Sequence, residues 1–290
     1  MKRNSLWESI IEKIIFIGGI SGVIILFLIF VFLFKESISF FLHYPLKEFF
    51  VGKNWYPTSA PPKFGLIPLL LGSLLVTIGA IAISLPLGVA CAIYISEVAP
   101  GWAKELLKPL MELIAAIPSV VLGFIGLVIL VPIIKQAFHL PTGLTALAGS
   151  ITLAFMALPT ITSISEDALS ALPRDYKEAS FALGATHWQT IRNVLLPAAR
   201  PGILAATMLG LGRAIGETMA VLMVTGNAAV IPHTFLQPVR TMTATIAMEM
   251  GEVVQGGLHY QALFAIGLIL FLISFVVNFI ADWVISRQKR

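Results

Sequence analysis

Arg213 and Glu217 are the residues here best placed to do chemistry, because they interrupt a stretch that is otherwise apolar from Ile203 to about Thr225. A charge near the centre of a membrane span costs on the order of 2.5–3.5 kcal/mol even on a lenient insertion scale, so each needs a partner or water. At a four-residue spacing on a helix the two share one face. Two readings follow. In one, the charges neutralise each other as a structural ion pair. In the other they line a translocation path, with Arg213 attracting an anion and Glu217 holding the guanidinium oriented or taking part in gating. A planar guanidinium can give two parallel hydrogen bonds to a tetrahedral oxyanion, which suits the second reading. Gly210, Gly212 and Gly216 surround the pair. Their spacing is off by one from a dinucleotide fingerprint and no strand precedes them, so close helix packing by Gly212 and Gly216 is the better explanation.

Such a pair has to be held by membrane helices, and the composition is that of a membrane protein. Of 290 residues, 58% are hydrophobic and 12% charged, with a mean hydropathy of +0.93. That charge content is about half the usual value and excludes a soluble enzyme. The 19 Lys+Arg against 15 Asp+Glu give a pI near 9.2. They fall in ones and twos between apolar runs, however, so there is no basic patch for nucleic acid. Cys91 stands alone within such a run, which rules out a disulfide or a cysteine metal cluster within one chain.

Uncharged runs long enough for a bilayer core of about 30 Å mark the spans. They are Ile14 to Phe34, Phe64 to Ser96 with departures at Pro68 and Pro86, Leu113 to Ile134, and one within Gln136 to Ser165. The fifth is Ile203 to about Thr225, and the sixth lies within Val253 to Ala281, from about Tyr260. The first follows Lys2, Arg3 and Lys13 as a secretory signal would, but it is too long and lacks a small-residue cleavage site, so we read it as a retained span. A competing fifth span, Thr218 to Val239, contains Asn227, Pro232, His233, Gln237 and Pro238 and is disfavoured. The expected fold is an all-α membrane protein of six transmembrane helices. Residues 1–63 form an N-terminal helix and outer loop, and residues 64–290 form the main transmembrane domain. The N-terminus, Glu97 to Glu112, Glu166 to Arg200 and the tail with Arg287, Lys289 and Arg290 hold 12 basic residues. The other side holds 6, namely Lys35, Lys47, Lys53, Lys63, Lys135 and Arg240. Both termini are therefore expected in the cytoplasm.

The longest cytoplasmic segment, 166–200, is written as two short helices. Pro173 can open the first, Asp175 and Glu178 suit its positive end, and Gly184 stops it. Thr186 and Gln189 make a capping-box pattern for the second, which Pro197 is expected to close. Within this segment Glu178-Ala179-Ser180, then Gly184, Val194 and Leu196-Pro197, resemble the EAA signature of bacterial ABC importer permeases. Ser180 and Val194 depart from it conservatively. The resemblance implies that Glu178, Ala179, Ser180, Gly184, Leu196 and Pro197 belong to a coupling hairpin seated in a groove of a separate ATPase. The chain has no phosphate-binding loop of its own, since Gly52-Lys53 is followed by Asn54 and has Lys47 where such a loop needs glycine.

Three further stretches carry a narrower resemblance. Leu113 to Val120, Gly212 to Val221 continuing through Thr225-Gly226-Asn227, and Thr243 to Glu252 are similar to the PstC-type permeases of phosphate ABC transporters, of MetI-like fold. With the EAA segment they cover most of the chain from about Phe64. The loop from Lys35 to Lys63 shows no usable motif. The resemblance implies a permease subunit of an ATP-driven inorganic phosphate importer, with no cofactor. Its implied partners are a homologous PstA-type permease, a dimeric ABC ATPase, an external phosphate-binding protein and a signalling link to a sensor kinase. It implies the bacterial inner membrane as the location.

His43, His139, His187, His233 and His259 lack metal-binding spacing, so no metal site is expected. Trp7, Trp55, Tyr56, Trp188, Tyr260 and Trp283 fall near span ends, where aromatic rings sit at headgroup level. Pro118-Ser119 and Pro159-Thr160 either break helices beside the path or are packing kinks, the latter preferred. Asp282 can reach the cytoplasmic interface. Two rival functions remain. An ion-coupled carrier is disfavoured by six spans without an internal repeat and by a docking hairpin that it would not need. A scaffold or sensor that moves nothing is the other.

Overall fold

The computed structural model describes the backbone of residues 4–288 and the side chains of residues 10–283. Lys2, Arg3, Lys289 and Arg290, and the side chains of Trp7 and Arg287, lie outside these bounds. Helix α1 (Asn4–His43) packs lengthwise on the last helix of the chain. A short α2 (Leu46–Val51) and a two-residue hairpin, β1 (Trp55–Tyr56) paired antiparallel with β2 (Lys63–Phe64), lead into α3 (Ile67–Ile93). Then come α4 (Gly101–Ala116), α5 (Ser119–Ile125), α6 (Val131–Ala137) and α7 (Ala146–Ser170). The second half holds α8 (Asp175–Ala182), α9 (His187–Thr190), α10 (Leu196–Gly216), α11 (Met219–Val224), α12 (Met242–Glu249) and α13 (Leu258–Gln288). Among the described residues six helical segments are long and apolar enough to cross a membrane: Ile10–His43, Ile67–Val98, Ser119–Ala137, Ala146–Ser170, His187–Gly216 and Leu258–Trp283.

Prolines explain where these segments depart from the expected spans. Pro118 forces Ile117 into extended backbone (φ −63°, ψ 127°), as the residue before a proline prefers, and so separates α4 from α5. The third span therefore begins at Ser119 rather than Leu113, and Pro118 is a break rather than a kink. Pro159 stays inside α7. Pro132 and Pro197 each follow a π turn, Gly126–Leu130 and Ile191–Leu195. In both, the residue before the proline bonds five residues back, Val131 N–H to Gly126 C=O and Leu196 N–H to Ile191 C=O. The widened turn takes up the proline, and the helix continues. Pro197 thus does not close the hairpin's second helix, which runs unbroken from His187 to Gly216 as the fifth span.

The core is the seam between α3 and α7. Gly72, Val76, Ala80, Ser84, Gly88 and Ala92 recur every fourth residue along α3 and are all buried. A Cβ on Gly88 would lie 2.8 Å from Ile161 Cγ2, and one on Gly79 would overlap Ser150. Small residues at this spacing let two helix backbones approach closely, which is how membrane helices gain packing energy without a hydrophobic drive between them. Ser150 Oγ also donates across the seam to Val76 C=O at 3.2 Å. The start of α7 is closed by the loop after α11. Ala146 N–H donates to Gln237 C=O (2.9 Å), Leu147 N–H to Phe235 C=O (2.8 Å), and Thr145 Oγ1 accepts from Ala148 N–H (3.2 Å). A second cluster, with Phe40, Phe49, Trp55, Phe64, Met242 and Ile266, binds the 44–66 segment to α12 and α13. Trp55 is 2% exposed, so it is a core residue and not a headgroup-level ring.

Candidate functional site

Helix α10 ends at Gly216, and Glu217 has extended backbone (φ −70°, ψ 134°). Arg213 and Glu217 therefore do not share a helix face, and no ion pair joins them among the described residues. The fifth span follows the Ile203-to-Thr225 path, but it is cut at Glu217-Thr218 and resumed by α11. The competing Thr218-to-Val239 placement fails, because the chain leaves helix after α11. Arg213 instead reaches across to α7, its Nη1 donating to Thr160 Oγ1 at 3.3 Å. Thr160 lies near the middle of α7, which puts this half-buried guanidinium at mid-depth, held by one long neutral hydrogen bond.

Glu217 faces the break. Its Oε1 accepts from Ala220 N–H in the first turn of α11 (3.2 Å), and its C=O accepts from Thr243 Oγ1 of α12 (2.8 Å). The break is thus tied at both ends, and Thr243 belongs to a stretch already singled out in sequence. Gly212 and Gly216 do not pack helices within this chain. A Cβ on either meets nothing within 4 Å, whereas one on Gly210 falls 2.8 Å from Ile161 Cγ1. The packing glycine is Gly210. Gly212 and Gly216 leave the surface beside Arg213 open, since they carry no side chain.

The hairpin has the expected caps. Gly184 (φ +82°) supplies the left-handed turn after α8, with Gly184 N–H donating to Phe181 C=O (2.9 Å) and Ala185 N–H to Ser180 C=O (3.2 Å), a Schellman pattern. Thr186 and Gln189 exchange capping-box bonds of 3.3 and 2.8 Å. The first helix opens at Asp175, two residues after Pro173. Glu178 and Ala179 are exposed, Leu196 and Pro197 half-buried. Ser180, a departure from the signature, is buried with its hydroxyl 2.9 Å from Thr190 Oγ1, which locks α8 to α9. Tyr176, Phe181, Leu183 and Trp188 stand exposed, Leu183 at 89%. Tyr176 and Leu183 also line a cavity of about 370 Å³ on the hairpin.

The family described as "Binding-protein-dependent transport system inner membrane component" matches residues 84–290. The chain belongs to this family. The probable ABC transporter permease protein YqgH of Bacillus subtilis (strain 168) is 47% identical over 83% of this chain and 78% of its own length. The phosphate transport system permease protein PstC of Mesorhizobium japonicum is 37% identical over 83% of this chain and 78% of its own. The probable PstC of Methanocaldococcus jannaschii is 32% identical over 100% and 98%. A bacterial ABC transporter importing alginate shares the fold at TM-score 0.65, 15% identical over 99% of this chain and 100% of that one. The MetNI methionine ABC transporter does so at 0.57, with 23% identity over 78% and 95%. This inner membrane component is therefore a multi-pass membrane protein with an ABC importer permease fold.

The sequence reading missed a second polar centre in this membrane component, built on Glu249 at the end of α12. Oε1 accepts from Arg240 Nη1 (2.8 Å), both oxygens accept from Trp55 Nε1 (3.1 and 3.0 Å), and Oε2 lies 2.8 Å from His259 Nε2. Arg240 Nε also donates to Asn227 C=O at 2.8 Å. The signal was faint, because Trp55 is 194 positions from Glu249, and the spacings of Arg240 and His259 from it, 9 and 10 residues, are not those of neighbours on a helix face. Within the chain itself, the Thr-Gly-Asn turn and the Thr243-to-Glu252 stretch converge on this centre.

Proposed function

We propose that the chain is the PstC-type permease subunit of an ATP-driven inorganic phosphate importer and forms half of the translocation path. The observation that carries the reading is Arg213, a mid-depth guanidinium with no carboxylate within ion-pair distance among the described residues, beside a helix break in a chain akin to PstC proteins. A cation held in a membrane without a counter-charge favours an anion there. Tetrahedral phosphate can take two of its hydrogen bonds at once. Glu217 serves the path by holding the break open rather than by neutralising Arg213.

In this reading the hairpin at 166–200 docks on a dimeric ABC ATPase, Glu178 and Ala179 facing it while Ser180, Gly184, Leu196 and Pro197 keep the hairpin rigid. Its exposed Tyr176, Phe181, Leu183 and Trp188 support this, because rings and leucines on a charged loop outside the spans mark a protein contact. A PstA-type permease completes the path, a phosphate-binding protein delivers cargo from outside, and signalling to a sensor kinase is a further role of the assembly. Both termini are cytoplasmic. Proteoliposomes holding this chain with its second permease, ATPase and binding protein test the reading. Phosphate uptake is expected to require ATP and the binding protein and to survive an uncoupler. Uptake that is uncoupler-sensitive and independent of ATP would assign an ion-coupled carrier, and preference for sulfate, molybdate or phosphonate would assign a related oxyanion.

A further inference from the structure

Two carboxylates are buried at the hairpin end of the spans. Glu97 lies in the π turn Tyr94–Val98 that ends α3, its side chain 3% exposed, and Glu166 lies in the last turns of α7, its side chain 6% exposed. Each meets a lysine from a different element. Lys177 Nζ of α8 is 2.8 Å from Glu97 Oε1, and Lys108 Nζ of α4 is 2.7 Å from Glu166 Oε2. A serine hydroxyl serves each carboxylate, Ser96 Oγ donating to Glu97 Oε1 (3.0 Å) and Ser170 Oγ to Glu166 Oε1 (2.7 Å), and the two Oγ atoms lie in contact at 3.4 Å. Lys104 Nζ donates to Ser96 C=O at 2.6 Å. One continuous run of polar contacts thus passes from α8 through the ends of α3 and α7 to α4. The hydrogen bond to Glu166 raises the pKa of Lys108 above its ordinary value, so that lysine stays charged at neutral pH.

The connectivity gives this run a purpose. The hairpin is covalently continuous with α7 on one side and α10 on the other, so those two helices feel its displacement through the chain itself. Helix α3 has no such link. It packs on α7 along the core seam, and at the hairpin end it meets the second helix through apolar residues, Ala92 with Ile191 and Leu195 among them. Lys177–Glu97 is the one ion pair, among the described residues, between the hairpin and α3. Exposed surface pairs contribute little, but a buried carboxylate stripped of its cation is strongly disfavoured. This pair therefore resists separation. Neighbouring residues divide the work, Glu178 pointing outward and Lys177 inward.

We infer that Lys177 and Glu97 are positioning residues for transport, a clasp that makes α3 follow the coupling hairpin, with Ser96, Ser170 and the Glu166–Lys108 pair extending it to α4. The inference rests on the importer reading above. Its test is the reconstituted four-component importer carrying Lys177→Gln, Glu97→Gln or Lys177→Arg, scored as phosphate moved per ATP hydrolysed. In both glutamine variants the ATPase still co-purifies, and the ratio falls about 10-fold or more. Lys177→Arg, which keeps the charge, retains it. A wild-type ratio in both glutamine variants overturns the clasp. So does a joint loss of ATPase binding and thermal stability in Glu97→Gln, where the charge left over is that of Lys177, a side chain open enough to be solvated. A wild-type assembly that moves no phosphate with ATP would instead fail the importer reading.

Discussion

Arg240 and Glu249 are nine residues apart and their charged atoms lie 2.8 Å apart, whereas Arg213 and Glu217, only four apart, form no ion pair among the described residues. The spacing rule favours the second couple, and the chain path reverses it. Four residues bring two side chains together only if the helix runs through both, and α10 stops at Gly216 between them. The Arg240 couple sits where three segments converge, so one carboxylate takes hydrogen bonds from an indole, a guanidinium and an imidazole. One couple is saturated and holds the structure together. The other is open on the arginine side, where the guanidinium keeps a neutral hydrogen bond to Thr160.

That contrast predicts mutations of graded effect. The largest is on transport: Arg213→Gln should reduce phosphate uptake in proteoliposomes to background, while the variant still co-purifies with its partners. Retained uptake would remove Arg213 from the path. Glu249→Ala comes next, because it leaves Arg240, Trp55 and His259 without their shared acceptor. Thermal unfolding in detergent should show a loss of about 2–3 kcal/mol, somewhat less than breaking a fully buried pair costs because both side chains keep some exposure. A loss as small as that of an exposed charge would show that the Glu249 centre is not a clamp. Glu217→Ala should cost about 1 kcal/mol through the lost bond to Ala220 N–H, whereas Glu217→Gln keeps an acceptor and should keep both stability and uptake. Equal loss of uptake in Glu217→Gln and Arg213→Gln would restore the charge of Glu217 to the path. The smallest effect belongs to Gly212→Ala in the isolated chain, within about 0.5 kcal/mol of wild type. Its counterpart Gly72→Ala puts a Cβ 2.5 Å from the Arg240 carbonyl oxygen and should cost about 1–3 kcal/mol.

The spans were legible because each needs a long uncharged run, and the hairpin because Gly184, Thr186 and Gln189 act on their immediate neighbours. Misreadings arose where a residue's effect depended on a turn that hydropathy does not encode. Pro197 reads as a stop unless the π turn before it is known. Gly212 and Gly216 read as packing residues because their spacing says nothing about which face meets a neighbour, while the α3 stripe from Gly72 to Ala92 was overlooked although its four-residue spacing is plain. Arg213 stands out in the sequence as a charge within an apolar run, but its partner Thr160 lies 53 positions away on another helix. The Glu249 centre was invisible for the same reason, since its bond to Trp55 spans 194 positions.

The unbroken rod from His187 to Gly216 has a mechanical consequence. At 1.5 Å per residue, Arg213 lies about 40 Å along the axis from the hairpin end. The helical hydrogen bonding continues through the π turn and past Pro197 and Pro201. A tilt of about 10° about the hairpin end therefore displaces the guanidinium by about 7 Å. That stroke is longer than the reach of a hydrogen bond, so the contact of Arg213 with Thr160 does not survive it unless α7 moves with the rod.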